Sequence, residues 1–177
     1  VRDLPLRTSA LRCLGGYANI FALESMMDEL ASKIEVDPVT FRLRHLDDPR
    51  AHYVIEAAAD GIGWSRDRGG GVGHGIAFSR YCNSKTYTAI AIELKVNDAA
   101  EIEIRKAVCA ADAGEVVDAA GLRMQLEGGV LQAISWTLYE EVLFDQDGIT
   151  SRDWEAYPIL TFAQAPPVDV IIIDRPG

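Results

Sequence analysis

The sequence has no apolar run of the roughly 18–20 residues that a membrane-crossing helix requires, and Val1-Arg2-Asp3-Leu4 does not read as a secretory leader. Cysteine is scarce: Cys13, Cys82 and Cys109 stand far apart, odd in number and without a CxxC pair. That argues against a disulfide framework or a structural zinc site and predicts reduced, mostly buried thiols. Basic charge is short too. Seventeen Lys and Arg face 27 Asp and Glu, a net charge of −10, so the surface should repel nucleic acid and anionic lipid. The chain reads as neither a nucleic-acid binder nor a membrane-inserted protein, with a cytoplasmic location expected and a periplasmic one as the alternative. What is present, 49% hydrophobic and 25% charged residues with 15 Gly and 7 Pro, is the composition of a folded domain and excludes disordered or collagen-like classes.

Periodicity divides the chain in two. From Tyr17, Ile20, Leu23, Met26/Met27 and Leu30/Ala31 recur at three- and four-residue steps, the pattern of a helix with one apolar face. Asp37-Pro38 and Asp48-Pro49 each read as an N-cap followed by a first-turn proline, opening two further helices, the second running to Gly61-Ile62-Gly63-Trp64. Arg66 to Gly71 is polar and glycine-rich, a linker. Beyond it the period changes to two: Ile76 and Phe78, then Tyr87 to Val96, then Ile102 to Val108, read as strands, with Asn97-Asp98 as a turn. Gly121 to Tyr139 returns to helix, Asp145-Gln146-Asp147 marks a hairpin, and the apolar run Val168 to Ile173 reads as a strand covered on both faces. The expected fold is therefore α+β: N-terminal helices followed by a mixed, mostly antiparallel sheet crossed by a long helix, with a helical segment over 1–65 and an α+β segment over 66–177.

Chemical motifs are few. Gly69-Gly70-Gly71-Val72-Gly73-His74-Gly75 has the glycines of a phosphate loop, but no strand precedes it and no Lys-Ser/Thr follows, so a flexible linker with a loop histidine is the better reading. His45 and His52 read as surface groups, and no metal-ligand spacing is present. Asp47-Asp48 and Glu140-Glu141 read as solvated faces or caps, and Asp112 and Asp118 as local hydrogen-bonding groups about Gly114. Two stretches stand out. In Arg12-Cys13-Leu14-Gly15-Gly16, a guanidinium able to fork onto a carboxylate or phosphate precedes a glycine pair; the plain alternative is a surface arginine at a helix entry. In Met124-Gln125-Leu126-Glu127-Gly128-Gly129, two glycines interrupt a helix at a cost of about 2 kcal/mol relative to alanine, beside an amide that both donates and accepts. Tight helix packing around a capped glutamine is the alternative.

Taken in order, five blocks resemble the molybdenum-binding large subunit of the xanthine dehydrogenase/aldehyde oxidase family, in particular bacterial members of the isoquinoline 1-oxidoreductase or nicotinate dehydrogenase type. They are the stretch from Arg12 to Ala31, Asp37 to Arg50, Gln125 to Gln132, Ser135 to Val142 and Asp153 to Leu160. The resemblance implies oxidation of an aldehyde or N-heterocycle with water as the oxygen source. It further implies a molybdenum cofactor (molybdopterin cytosine dinucleotide), and [2Fe–2S] clusters with FAD or cytochrome on an iron–sulfur subunit and electron-transfer partner. Arg12 matches the family arginine that faces the substrate, and Gln125 the glutamine that hydrogen-bonds the pterin, with Gly128 and Gly129 beside it. Leu14 falls where xanthine-type members carry a phenylalanine. The family's base, a glutamate in a Gly-x-Gly-Glu motif, is expected beyond Asp174-Arg175-Pro176-Gly177, so the chain is expected to be a piece of a catalytic subunit and inactive alone. The alternative is a binding or assembly module without catalysis.

Overall fold

The computed structural model describes residue 9 and residues 11–65 and 69–175. Three helices come first: α1 (Gly16–Lys33), α2 (Pro38–His45) and α3 (Pro49–Ile62). Both Asp-Pro pairs act as predicted. The Asp37 carboxylate accepts from the amides of Val39 and Thr40, that of Asp48 from Arg50, and each proline takes the first turn, where no amide is needed. Gly63, at φ 66°, ends α3 in the left-handed conformation that glycine tolerates.

Strands β1 (Val72–Arg80), β2 (Tyr87–Val96) and β3 (Ile102–Asp112) form antiparallel neighbours, and β6 (Val168–Ile172) adds parallel to β3, giving the order β1-β2-β3-β6. Between β3 and β6 run α4 (Ala119–Leu138), capped by Asp118 through the Gly121 amide, and the short hairpin β4 (Phe144–Asp145) and β5 (Gly148–Ile149). Because strand side chains alternate, each of the central strands serves two layers. Ala89, Ala91, Val108 and Ala110 face α3, which buries Ala51, Val54, Ile55, Ala58, Ala59 and Ile62 against them. Ala107, Cys109, Ile90 and Ile92 face the other way, onto Leu126, Val130 and Ile134 of α4. The sheet is thus covered on both sides, and β6 shares in both layers through Ile171 on one face and Val170 on the other.

Four details depart from the sequence reading. The first helix does not bury its apolar stripe: Leu23, Met26 and Leu30 are exposed, while Glu24 and Ala31 are buried. The reason is electrostatic. Arg42 of α2 donates from Nε to Glu24 Oε2 (2.8 Å) and from Nη1 to Asp28 Oδ1 (2.7 Å), and the Phe78 amide donates to Glu24 (2.8 Å), so α1 is anchored by a buried ion pair. His74 lies within β1, not in a loop. Its side chain is wholly enclosed between the Ser65 amide, which donates to Nδ1 (3.2 Å), and Glu93 (3.2 Å to Nε2), with Trp64 stacked near it. Only Cys109 is buried; Cys13 and Cys82 are exposed. Burial pushes the Cys109 thiol up to about 11, which keeps it protonated and inert. Asp112, finally, is more than a turn residue.

Asp112 ends β3 with its carboxylate completely enclosed. It accepts from Nε and Nη2 of Arg50 in α3, from Nε of Arg175 just past β6, and from the Gly114 amide (3.0 Å). Burial pushes the carboxyl up, but the hydrogen bonds from Arg50, Gly114 and Arg175 outweigh it and hold the group down at about 2. One buried charge thereby ties α3, β3 and the exit of β6 together.

Candidate functional site

The two stretches singled out in the sequence meet on α4. With 3.6 residues per turn, Leu126, Val130 and Ile134 occupy the face turned to the sheet, which leaves Gln125, Gly128, Gly129, Gln132 and Trp136 on the opposite face. The turn ahead of α1 lies over that outer face. Arg12 donates from Nη1 to Gln132 Oε1 (2.7 Å), and its Nη2 lies 3.8 Å from the place a Cβ on Gly129 would occupy. Tyr17, the second residue of α1, packs edge-on against Trp136 with ring centroids 5.5 Å apart.

Between these segments opens a cavity of about 450 Å³, lined among others by Arg12, Leu14, Tyr17, Trp136, Glu140 and Tyr157. Its walls are aromatic and its rim carries both signs of charge. Glu140 Oε1 accepts from the Ser135 hydroxyl (2.5 Å) and Oε2 from the Tyr157 hydroxyl (2.7 Å). The bond to Glu140 pushes the Tyr157 phenol above its ordinary pKa, with burial and the carboxylate's charge adding to it. Glu140 is therefore not a solvated end group, as its sequence context suggested, but the anchor of the cavity's far wall.

Of the residues named from sequence, Arg12 reaches over α4 beside Gly129, and Gln125 lies one turn, about 6 Å, further toward the start of α4. Gln125 is exposed, and its amide makes no hydrogen bond among the described residues. A Cβ on Gly128 would meet nothing within 4 Å. The alternative of a capped glutamine in tight helix packing is not what the fold contains: the outer face of α4 around Gln125 and Gly128 is open. Sequence reasoning missed Gln132, Tyr17, Trp136, Glu140 and Tyr157. The first and third were within reach, since 125, 129, 132 and 136 follow helical spacing along one stripe. The other three meet the site only through folding. Among the described residues no cluster of His, Cys, Asp or Glu could hold a metal ion by itself, and no helix is long and apolar enough to cross a membrane.

Comparison with known proteins gives this geometry a context. The chain is 36% identical over 186 aligned residues to one of the subunits of nicotinate dehydrogenase from Pseudomonas putida, an alignment covering 96% of this chain and 16% of that protein. It is 32% identical over 165 residues to the beta chain of isoquinoline 1-oxidoreductase from Brevundimonas diminuta, covering 90% of this chain and 21% of the relative. The chain thus spans about a fifth or less of these relatives' lengths. Among solved structures, quinoline 2-oxidoreductase from Pseudomonas putida 86 superposes on 52% of the chain and 12% of its own, with 21% identity and a TM-score of 0.49. A molybdopterin cofactor-binding domain family matches residues 66–166, more than half of the chain, and a second family of the same description matches residues 5–46. With both segments that build the cavity inside those matches, the chain belongs to the molybdopterin cofactor-binding domain family.

Proposed function

We propose that the chain forms part of the catalytic subunit of a molybdenum hydroxylase that oxidises an N-heterocycle or an aldehyde with water as the oxygen source. The observation that carries the reading is the meeting of Arg12 with the Gln125–Gly129–Gln132 stripe of α4 beside an aromatic-walled cavity. The names of the two relatives, a nicotinate dehydrogenase and an isoquinoline oxidoreductase, favour an electron-poor ring over an aldehyde. The residues suit a pterin. Gln125 offers an unpaired, exposed amide, donor and acceptor together, and Gly128 leaves the adjoining backbone uncovered, so a flat polar ring can lie along α4. When bound, the cofactor supplies the two-electron oxidation, and the protein's task is to position and polarise.

In this reading Gln125 holds the pterin, with Gly128 and Gly129 permitting its close approach. Arg12, oriented by Gln132, directs its remaining N–H groups at the substrate and stabilises the negative charge that develops during attack on the ring carbon. Leu14, Tyr17 and Trp136 supply the apolar walls. Leu14 is smaller and softer than a phenylalanine in that place, which does not favour purines. In such an assembly, [2Fe–2S] clusters and FAD or cytochrome on partner subunits would carry the electrons away, and the cofactor would be the cytosine dinucleotide form.

The test uses the protein assembled with its partners. Arg12→Ala should lower kcat/KM for N-heterocycles by about 10²-fold, the scale of losing one charge-stabilising donor, with molybdenum content unchanged. Gln125→Ala should lower molybdenum content measured by mass spectrometry of the metal. Unchanged kcat/KM in the first variant on every substrate, or full occupancy in the second, removes the assigned role. An assembly that binds partners but never acquires molybdenum supports the binding-module alternative.

A further inference from the structure

The cavity lined by Arg12 holds a second charged group, to which the proposed function gives no part. Glu140 follows the end of α4 and is fixed there from several sides. Its amide donates to the Ser135 carbonyl (3.2 Å). The Ser135 hydroxyl is buried, accepts from the Leu160 amide (3.0 Å) and gives its own proton to Glu140 Oε1 (2.5 Å). The Tyr157 hydroxyl donates to Oε2 (2.7 Å). Each carboxylate oxygen thus has one donor and a second lone pair to spare. The carboxylate is half-buried, and it shares the cavity of about 450 Å³ with the rings of Tyr17 and Trp136.

A carboxylate accepts and cannot donate, whereas a guanidinium donates and cannot accept. A flat ligand in this cavity therefore meets Arg12 with an acceptor and Glu140 with a donor. The residues that hold the two groups on α4, Gln132 and Ser135, are three apart, about 4.5 Å along the axis, so one molecule can face both. A ring nitrogen that offers only a lone pair is repelled by the carboxylate, while a ring N–H gains a charge-assisted bond. We infer that Glu140 is a specificity-determining residue, accepting a hydrogen bond from a ring N–H and selecting N-heterocycles that carry an N–H beside an acceptor, as cyclic amides do. The inference rests on the reading of this cavity as the substrate site of a hydroxylase. It narrows that reading from N-heterocycles at large to those with a donor on the ring.

The test compares quinazolinone, a fused cyclic amide whose ring N–H stands beside a carbonyl, with its N-methyl derivative. Calorimetry on the reduced assembly with its partners, which binds but cannot turn over, gives both dissociation constants. The unaltered protein should bind the N–H compound at least about tenfold more tightly, the scale of one hydrogen bond to a charged group. Glu140→Gln keeps the size of the side chain and replaces one acceptor oxygen by a donor. It should remove about tenfold of that preference and leave the affinity for the N-methyl compound unchanged, which also shows that the cavity is intact. Equal affinities in the unaltered protein, binding of neither compound, a preference that survives in Glu140→Gln, or an equal loss for both compounds in that variant would each overturn the inference. Turnover separates it from the function on which it rests. Oxidation of both compounds without a binding preference removes the role of Glu140 and leaves the hydroxylase reading in place. A preference that depends on Glu140, without molybdenum-dependent oxidation, supports the N–H site and counts against that reading.

Discussion

The two faces of the sheet are built on opposite principles. On the α3 side, small residues bring the layers into close contact, Val54, Ile55, Val108 and Ala58 are wholly buried, and the edge is closed by Asp112 with its two arginines. On the α4 side, the helix buries only one narrow stripe. Val130 and Ser135 are its sole buried residues among those described, and Met124, Gln125 and Gly128 stand in the open. The difference teaches where stability and function reside. A layer packed at interior density resists change, because any added or removed group must be absorbed by its neighbours. The outer face of α4, with Gln125 and Gly128 exposed, is the surface to which the proposed function assigns the cofactor.

This contrast can be broken first at Asp112. Replacing it with alanine leaves Arg50 and Arg175 facing a buried void and should cost about 3 kcal/mol, the scale for breaking an enclosed ion pair, read as a lowered denaturant midpoint. Acid sharpens the same point. Because Asp112 titrates at about 2 in the fold against 3.8 ordinarily, its contribution is present above pH 4 and lost as the pH falls toward 2. By linkage this amounts to about 2 kcal/mol, and Asp112→Asn should flatten the dependence of unfolding free energy on pH between those limits. Gly61 tests the closeness of the α3 layer. A Cβ there would stand 2.8 Å from Val108 Cγ1 and 3.0 Å from Ile171 Cδ1. Gly61→Ala gains about 1 kcal/mol of helix propensity but should lose about 2 through overpacking, a net thermal destabilisation that Gly61→Ala with Val108→Ala relieves. The smallest effect belongs to the other face: Gln125→Ala should change stability by less than about 0.5 kcal/mol. A large loss in that variant would mean that Gln125 supports the fold.

Much of the secondary structure was legible because its causes are local. Asp-Pro caps, a glycine at the end of α3, alternation along β2 and β3 and the spacing of Leu126, Val130 and Ile134 each act within a few residues. The candidate site was legible only in part. Arg12, Gln125, Gly128 and Gly129 carry unusual local chemistry, and their block order carried the family resemblance, which the match over residues 66–166 bears out at the level of a molybdopterin-binding domain.

Where the chain misled, the deciding partner lay far away in sequence. The stripe of α1 suggested an apolar contact, yet Arg42 and the Phe78 amide draw Glu24 inward instead. His74 looked like part of a linker until pairing with β2 placed it against Glu93. Glu140 read as a solvated group or cap and Asp112 as a local hydrogen-bonding group about Gly114, but Tyr157 and Arg175 reach them across 17 and 63 residues. The sequence alone determined the helices, the strands, the acidic surface and the glycine-interrupted helix, because propensity, capping and period are short-range. Only tertiary structure decided which charges are buried, which thiols are exposed and which aromatic rings wall the cavity. Those outcomes depend on desolvation and on partners that meet only when the layers close.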